Sequence, residues 1–342
     1  MSYTNGSKLQ TNIQNYLINK KDITFMKVLI YGFGRMGLTH YSILKGLNPK
    51  IKFTVVEPSK ILRKLLHQNI KADFYPDDST LKEGFDITLI TTPPFIHLKL
   101  IENCINRGDD KVFVEKPFGG FTNINYDSSY NSKNIYIGYV LRFNPCIQWV
   151  KSNIDQQNIL SINGQYLSNT LVSKPVGWRN GEFSGVLNEV GSHVIDLIQY
   201  ISGENQFDVI DVEKESVISD VDDIVRAKLK SKNNIFISLY FNWVKKDVRK
   251  PLFDLEIKMK NGETYSIDQQ QIKYLNSEGG LISKISVTDL AETVPFYLRG
   301  IDFTKQMLDL LGKGDKMASL NDGLAVNKLM NKIIKHENSI RG

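Results

Sequence analysis

The sequence predicts an α/β protein in two parts, an N-terminal doubly wound parallel sheet and a C-terminal α+β domain carrying a large, open, mostly antiparallel sheet. Three observations predict it. Apolar strand runs alternate with helical stretches from Met26 to about residue 140, which implies right-handed βαβ units. After about Pro145 strand-like runs dominate, as in a sheet with one covered face. A chain of 342 residues is long enough for two domains, each with its own core.

The elements of the first part read in order as KVLIYG, MGLTHYSILKGL, KFTVVE, SKILRKLLHQN, DITLITT, IHLKLIENCINRG, KVFVEK and IYIGYV. Those of the second read as ILSINGQYLSN, FDVIDVEKESV, DIVRAKLKS, NIFISLYFNWV, FDLEIKMK and ETYSID, with helices at SHVIDLIQYI, PFYLRGIDFTKQMLDLL and GLAVNKLMNKIIKHE. The division is therefore an extension over 1–25, a doubly wound domain over 26–145 and an α+β domain over 146–342. The polar, Asn-rich extension is either a docked amphipathic helix through Ile13, Tyr16 and Leu17 or lies ahead of a true start at Met26.

Composition excludes several classes. With 41% hydrophobic and 23% charged residues and 10 prolines, the chain is neither disordered nor collagen-like. The net charge of +6 is spread over short basic runs, KSK at 231–233 and VKKDVRK at 244–250, so a solvated face is expected rather than a nucleic-acid interface. No apolar run reaches the roughly 18 residues of a membrane span, and no signal-peptide core is present. Two cysteines, Cys104 and Cys146, are too few for a disulfide framework, which suits a reducing, cytoplasmic compartment. His40, His67 and His336 lie in helices without partners at metal-ligand spacing, so no metal is expected.

Chemistry concentrates at three places. GFGRMG, Gly32-Phe33-Gly34-Arg35-Met36-Gly37, follows the first strand and opens a helix, the context in which three glycines cradle a pyrophosphate. Gly32 permits the turn, Gly34 the approach of phosphate, Gly37 close helix–strand packing, and the helix N-terminus favours the anion. Glu57, 20 residues after Gly37 at the end of the second strand, would accept the ribose hydroxyls and repel a 2′-phosphate, favouring NAD. Ser59 and Lys60 in EPSK leave NADP open. TTPPF places Thr91, Thr92 and Pro93 outside a strand end, where open α/β sheets bind ligands.

The second place is VFVEKPFGG, with Glu115 and Lys116 at a strand tip and a Lys116–Pro117 bond suited to a cis peptide. The third is LNEVGSHVID, in which Glu189 and His193 stand beside Ser192, a candidate N-cap, and Asp196, a candidate to orient the imidazole. Tyr139, Arg142 and Asn144 in GYVLRFNP either bridge nicotinamide and substrate or begin a helix. Trp178 and Arg179, in a Gly-flanked loop, either line a ligand pocket by stacking and hydrogen bonding or pack structurally.

Taken together, GFGRMG, Glu57, TTPPF with His97, EKP, GYVLRFNP, GWR and E-x-G-x-H-x-x-D resemble, in this order, the glucose–fructose oxidoreductase, inositol dehydrogenase and MocA-type family of NAD(P)-dependent oxidoreductases. The resemblance covers about residues 26–342, including a C-terminal SLNDGLAV to NSIRG segment. It implies a Rossmann domain that binds cofactor through Gly32–Gly37, Glu57, Thr91, Thr92, Pro93, His97, Glu115 and Lys116. It also puts Lys116 on the reacting oxygen, with Glu189 and His193 in the same region. Glu189 departs from the aspartate more usual there.

The expected function is oxidation of a secondary alcohol of a sugar, sugar derivative or cyclitol, or the reverse reduction. His193 serves as general base, Lys116 stabilises the alkoxide, and Glu189 tunes the pair. The alternatives are an NADP-dependent keto-sugar or amino-sugar reductase and a non-catalytic nucleotide-sensing protein. The resemblance also implies a homodimer or homotetramer through the open sheet.

Overall fold

The computed structural model describes residues 25–118, 134–181, 184–290 and 298–336. The extension over 1–24, including Ile13, Tyr16 and Leu17, and the NSIRG tail lie outside the described residues.

Six strands run parallel in the first layer: β1 (Lys27–Tyr31), β2 (Lys52–Val56), β3 (Asp73–Tyr75), β4 (Ile87–Ile90), β5 (Lys111–Val114) and β6 (Asn134–Ile137). Their connections include helices α1 (Arg35–Leu47), α2 (Lys60–His67) and α3 (His97–Arg107). In β1 the four residues after Lys27 are buried, and in β4 all four are, as a parallel sheet covered on both faces requires. The order β6-β5-β4-β1-β2-β3 reverses direction at β1, so the carboxyl ends of β1 and β4 frame the crevice where such sheets take their ligands. The edge strand β3 escapes sequence reading because three residues show no period.

The second layer is an eight-stranded sheet. Its strands are β7 (Ile159–Leu167), β8 (Phe207–Glu215), β9 (Ile224–Ser231), β10 (Phe236–Asn242), β11 (Leu252–Met259), β12 (Thr264–Asp268), β13 (Gln271–Leu275) and β14 (Leu281–Ser286). The order is β14-β13-β12-β11-β7-β10-β9-β8, antiparallel except where β10 joins β7. Burial alternates along β11, the pattern of one covered face. Helix α4 (Pro145–Asn153) precedes β7, and α5 (Ser192–Ser202) follows it. The helix α5 covers the buried face closely because Gly164 of β7 has no side chain. A Cβ there would stand 2.7 Å from Val194 and 3.3 Å from Ile198.

A short α6 (Val287–Leu290) follows β14, and the described residues from 298 onward pack against the first layer. In α7 (Leu298–Leu311), Met307 and Leu310 pack in one apolar cluster with Val28, Phe53 and Leu89. Beyond it β15 (Ala318–Ser319) pairs antiparallel with β6, and α8 (Leu320–Ile334) starts from a capping box of Ser319 and Asp322. Lys111 of β5 donates to the carbonyls of Leu310 and Gly312 at 2.9 and 2.6 Å. Continuous apolar packing crosses position 145 rather than a linker. Among the described residues no helix is long and apolar enough to cross a membrane.

Candidate active site

The glycine turn has the local geometry that its spacing implies. Gly32 sits at φ +79°, in the left-handed region that glycine reaches without strain. At Gly37 a Cβ would lie 2.3 Å from the Gly32 carbonyl oxygen, so any larger residue would push α1 off the turn. Around Gly34 a Cβ would meet nothing within 4 Å, leaving open space over the start of α1. No side chain caps this helix, so the first-turn N–H groups of Arg35, Met36 and Gly37 remain available to an anion. The Phe33 ring is core, edge-on to Tyr41 and Phe74, while its N–H donates to Glu57 Oε2 at 3.0 Å.

Glu57 Oε1 accepts a second backbone bond, from Ser59 N–H at 3.0 Å. Each carboxylate oxygen thus keeps acceptor capacity for ribose hydroxyls while two amides fix its direction. In TTPPF the two hydroxyls part company. Thr91 Oγ shares its proton within the turn, with Gly32 O at 2.6 Å and Tyr31 O at 3.0 Å. Thr92 Oγ is buried with no partner, and Pro93 leads into a 3-10 turn over Pro94–Ile96. The uncapped helix start, the open space at Gly34 and the unpartnered Thr92 hydroxyl fit a dinucleotide, held by the first-turn amides, Glu57 and Thr92.

Two further candidates have their side chains engaged within the chain. His97 is fully buried, with Nε2 2.8 Å from Thr92 O and Nδ1 3.2 Å from Pro117 O, and its ring faces no open site. Glu115 turns its carboxylate inward to His40 Nε2 at 2.7 Å, where burial of that imidazole is complete.

Lys116, joined to Pro117 by a cis peptide, reaches across to the second domain and donates to the backbone carbonyl of Glu189 at 2.6 Å. The residue expected to contribute a carboxylate thus meets Lys116 through its main chain. Glu189 lies in a single π-helical turn, Leu187–Gly191, that runs directly into α5. Such turns recur at functional sites because the extra residue redirects the side chains that follow. The close fit of this turn depends on Gly191, where a Cβ would stand 2.9 Å from Leu187 and 3.1 Å from the Phe241 ring. Ser192 is accordingly not an N-cap: the helix continues through it, and its hydroxyl donates back to Asn188 O at 2.9 Å.

His193 follows on the first turn of α5. Burial, and then the positive charge of Lys116, hold its pKa well below the ordinary imidazole value, so the ring is neutral at neutral pH. Its Nδ1 is buried without a partner, and its ring meets Tyr139 edge-on at 6.1 Å. The Tyr139 hydroxyl is also buried and unpartnered, and burial pushes that phenol above its usual range. Lys116, Glu189, His193 and Tyr139 are therefore brought together.

The remaining candidates are not. Arg142 is buried and grips Asp196, with Nη2 to Oδ1 at 2.6 Å and Nε to Oδ2 at 2.8 Å, while Nη1 reaches Asp322 at 3.3 Å. Its guanidinium also sits 4.7 Å over the Tyr200 ring. Arg142 is an internal clamp rather than a substrate ligand, and Asp196 holds that clamp rather than His193. Asn144 caps α4 by accepting from Cys146 N–H at 2.9 Å and donates to Gln269 O at 3.1 Å, so it is structural. Arg179 is exposed on the turn Gly177–Asn180, and the Trp178 side chain lies outside the described residues. Sequence reasoning missed His40 and also the polar pair Ser184, before the π turn, and Asn188, within it, whose Oγ and Oδ1 are buried without partners. Their one signal is polarity inside an apolar stretch.

Residues 26–122 match the family model described as "Oxidoreductase family, NAD-binding Rossmann fold". No curated protein sequence matches the chain. Among solved structures, an oxidoreductase domain protein from Kribbella flavida is similar at TM-score 0.78 and 16% identity, over 91% of this chain and 96% of that one. Levoglucosan dehydrogenase, in a complex with NADH and levoglucosan, is similar at TM-score 0.75 and 18% identity, over 90% and 96%. UDP-N-acetylglucosamine 3-dehydrogenase from Acidithiobacillus ferrooxidans is similar at TM-score 0.68 and 17% identity, over 91% and 97%. These likenesses describe the fold of nearly the whole chain. The matched segment holds the glycine turn, Glu57 and the EKP tip, and its family model describes an oxidoreductase domain whose Rossmann fold binds NAD.

Proposed function

We propose that this chain oxidises a secondary alcohol of a sugar, sugar derivative or cyclitol, or reduces the matching ketone, with Lys116 and His193 handling the oxygen and its proton. The observation that carries this reading is the meeting of a lysine ammonium and a neutral, half-buried imidazole beyond the carboxyl ends of β4 and β5. Two of the similar folds, levoglucosan dehydrogenase and UDP-N-acetylglucosamine 3-dehydrogenase, are named for sugar substrates.

Bound NAD supplies the hydride acceptor. The chain's own residues manage the proton. Lys116, directed by the Glu189 carbonyl, donates a hydrogen bond to the substrate oxygen and stabilises charge as the alkoxide develops. His193 takes the hydroxyl proton, and the charge of Lys116 keeps it unprotonated until that proton arrives. Glu189, half-buried on the same turn, is assigned to tune the pair. Association into a homodimer or homotetramer through the open sheet belongs to this reading and is tested by light scattering.

NAD rather than NADP is favoured by the way Glu57 is tied down. Turning it from a 2′-phosphate would break its bonds to Phe33 and Ser59 N–H. Lys60, Arg63 and Lys64 do line a basic hollow on α2, but Arg63 already donates to Pro58 O at 2.8 Å. Glu57→Ala is expected to weaken NADH binding about tenfold, the loss of one to two ribose hydrogen bonds, and to narrow its margin over NADPH. Fluorescence titration of both cofactors measures this. Equal wild-type affinities for NADH and NADPH would reject the NAD preference. A panel of sugars and cyclitols followed at NADH absorbance tests the reaction, and NADH binding without turnover of any of them would favour a nucleotide sensor.

A further inference from the structure

Lys116 stands where the sheet no longer supports it. The register of β5 on β4 ends at Ile90↔Val114, and Glu115 N–H makes one more bond, to Ile90 O at 2.9 Å. What fixes the tip beyond that point comes from two histidines in different helices. His40 of α1 holds the residue before Lys116 by its side chain, through Nε2 to Glu115 Oε1 at 2.7 Å. His97, the first residue of α3, faces the residue after it, with Nδ1 3.2 Å from Pro117 O, and also faces the cofactor loop, with Nε2 2.8 Å from Thr92 O. Both rings are fully buried, and Phe113 packs edge-on against His40 at 5.1 Å. A Cβ at Gly138 would come within 3.2 Å of Glu115 Oε2, so the far side of that carboxylate is closed as well.

We propose that His40 and His97 are positioning residues for Lys116, gripping Glu115 and Pro117 on either side of it so that its ammonium meets the Glu189 carbonyl and the reacting oxygen. The inference rests on the functional reading of Lys116 but concerns residues that touch neither substrate nor cofactor. Its physical logic is that a lysine has four rotatable side-chain bonds, so the aim of its ammonium depends on how firmly the backbone beneath is held. A backbone error of about 1 Å can cost on the order of a hundredfold in rate. Two buried imidazoles suit the task because a ring N–H is a short, rigid, directional donor; neutral His97 carries one such N–H, placed here on Nδ1, toward Pro117 O. Apolar packing would fill the same space without setting the direction of Glu115 or the Pro117 carbonyl.

The chemistry of substitution separates the contacts. Asparagine at 97 puts an amide donor near the position of Nδ1, toward Pro117. Glutamine at 97 puts one near Nε2, toward Thr92. Phenylalanine fills the volume and donates to neither. Glutamine at 40 keeps a donor for Glu115, and phenylalanine removes it.

The test uses the full chain with and without NADH and reads Lys116 directly, as its rate of acetylation by acetic anhydride relative to other lysines, resolved by mass spectrometry. Kinetic constants are measured with any sugar that the wild type oxidises. We expect His97→Phe and His40→Phe to raise Lys116 acetylation several-fold and to lower kcat about 10- to 100-fold, with a smaller change in KM for NAD. His97→Asn and His40→Gln are expected to restore both readouts toward wild type, and His97→Gln to restore chiefly the cofactor KM. If the phenylalanine variants fail to fold, the comparison of His97→Asn with His97→Gln still decides. Wild-type Lys116 acetylation in every folded variant would overturn the proposal, as would equal loss in the asparagine and glutamine variants. Should the wild type turn over no sugar, the functional reading fails while acetylation still tests the grip on Lys116.

Discussion

His193→Gln is expected to lower kcat by about 10²- to 10⁴-fold, the span for loss of a general base, with NADH affinity unchanged. Glutamine keeps polar atoms in the same space but takes up no proton at neutral pH. The environment makes this the site's most demanding position, because burial and Lys116 together hold the imidazole neutral. The pH dependence follows in sign. The pKa in the folded protein is depressed from about 6.5, so the ring stays ready to accept a proton through neutrality and loses that capacity only on acidification well below 6.5. By linkage, folding stability from this group is present above pH 6.5 and declines as pH falls below it, since the unfolded chain protonates first. Oxidation measured from pH 5 to 9 should therefore show no limb from His193 near neutrality. A limb near pH 6.5 that vanishes in His193→Gln would show an imidazole in water, and a kcat for His193→Gln within about threefold of wild type would remove it from the mechanism.

The parts of this molecule legible in its sequence are those with a local signature. The βαβ alternation follows from strands buried on both faces and helices amphipathic on one, which write different periods into adjacent residues. The glycine turn is legible because each glycine answers a steric demand made within a few residues or by the adjoining strand. Lys116 and His193 were recognisable as a pair only through their place in a chain of motifs, and the bond of Lys116 to the Glu189 carbonyl is a contact across 73 residues. Illegible were contacts between polar groups far apart in sequence. Arg142 looked like a ligand because it follows the last strand of the nucleotide half, yet its partners lie 54 and 180 residues away. For Asn144, left open between ligand and helix start, the structure shows the helix start, whereas Ser192, a candidate cap, lies inside a helix because a π turn carries the helix back past it. Strands β13 and β14 were missed because β14 exposes its first four residues, and without a buried face no alternation appears.

Arg142→Met is expected to destabilise the fold by about 3–5 kcal/mol, the cost of leaving a buried carboxylate without its partner. The guanidinium joins three pieces of chain, the turn after β6, α5 through Asp196 and the start of α8 through Asp322, so its loss loosens the seam between the two layers. Asp196 is the more buried acid, whereas Asp322 is partly exposed and is rehydrated at little cost. Asp196→Leu in the same background should recover much of the loss, because replacing both members of a buried pair by apolar groups removes the charge that has no solvent. The pH test is independent of that arithmetic. Burial pushes the Asp196 pKa up to about 6, against the pull of Arg142. A raised carboxylate binds its proton more tightly when folded, so its contribution to stability is full below about pH 4 and is lost as pH rises through about 6. Without Arg142 the pKa moves higher still, and the deficit of the single variant should be larger at pH 8 than at pH 5 by urea denaturation. Equal deficits at both pH values, or none, would mean that Asp196 finds water or another cation and that the clamp does not hold the layers together. If the deficit is present and pH-dependent, the helix that carries His193 is anchored from behind by an ion pair that takes no part in the reaction.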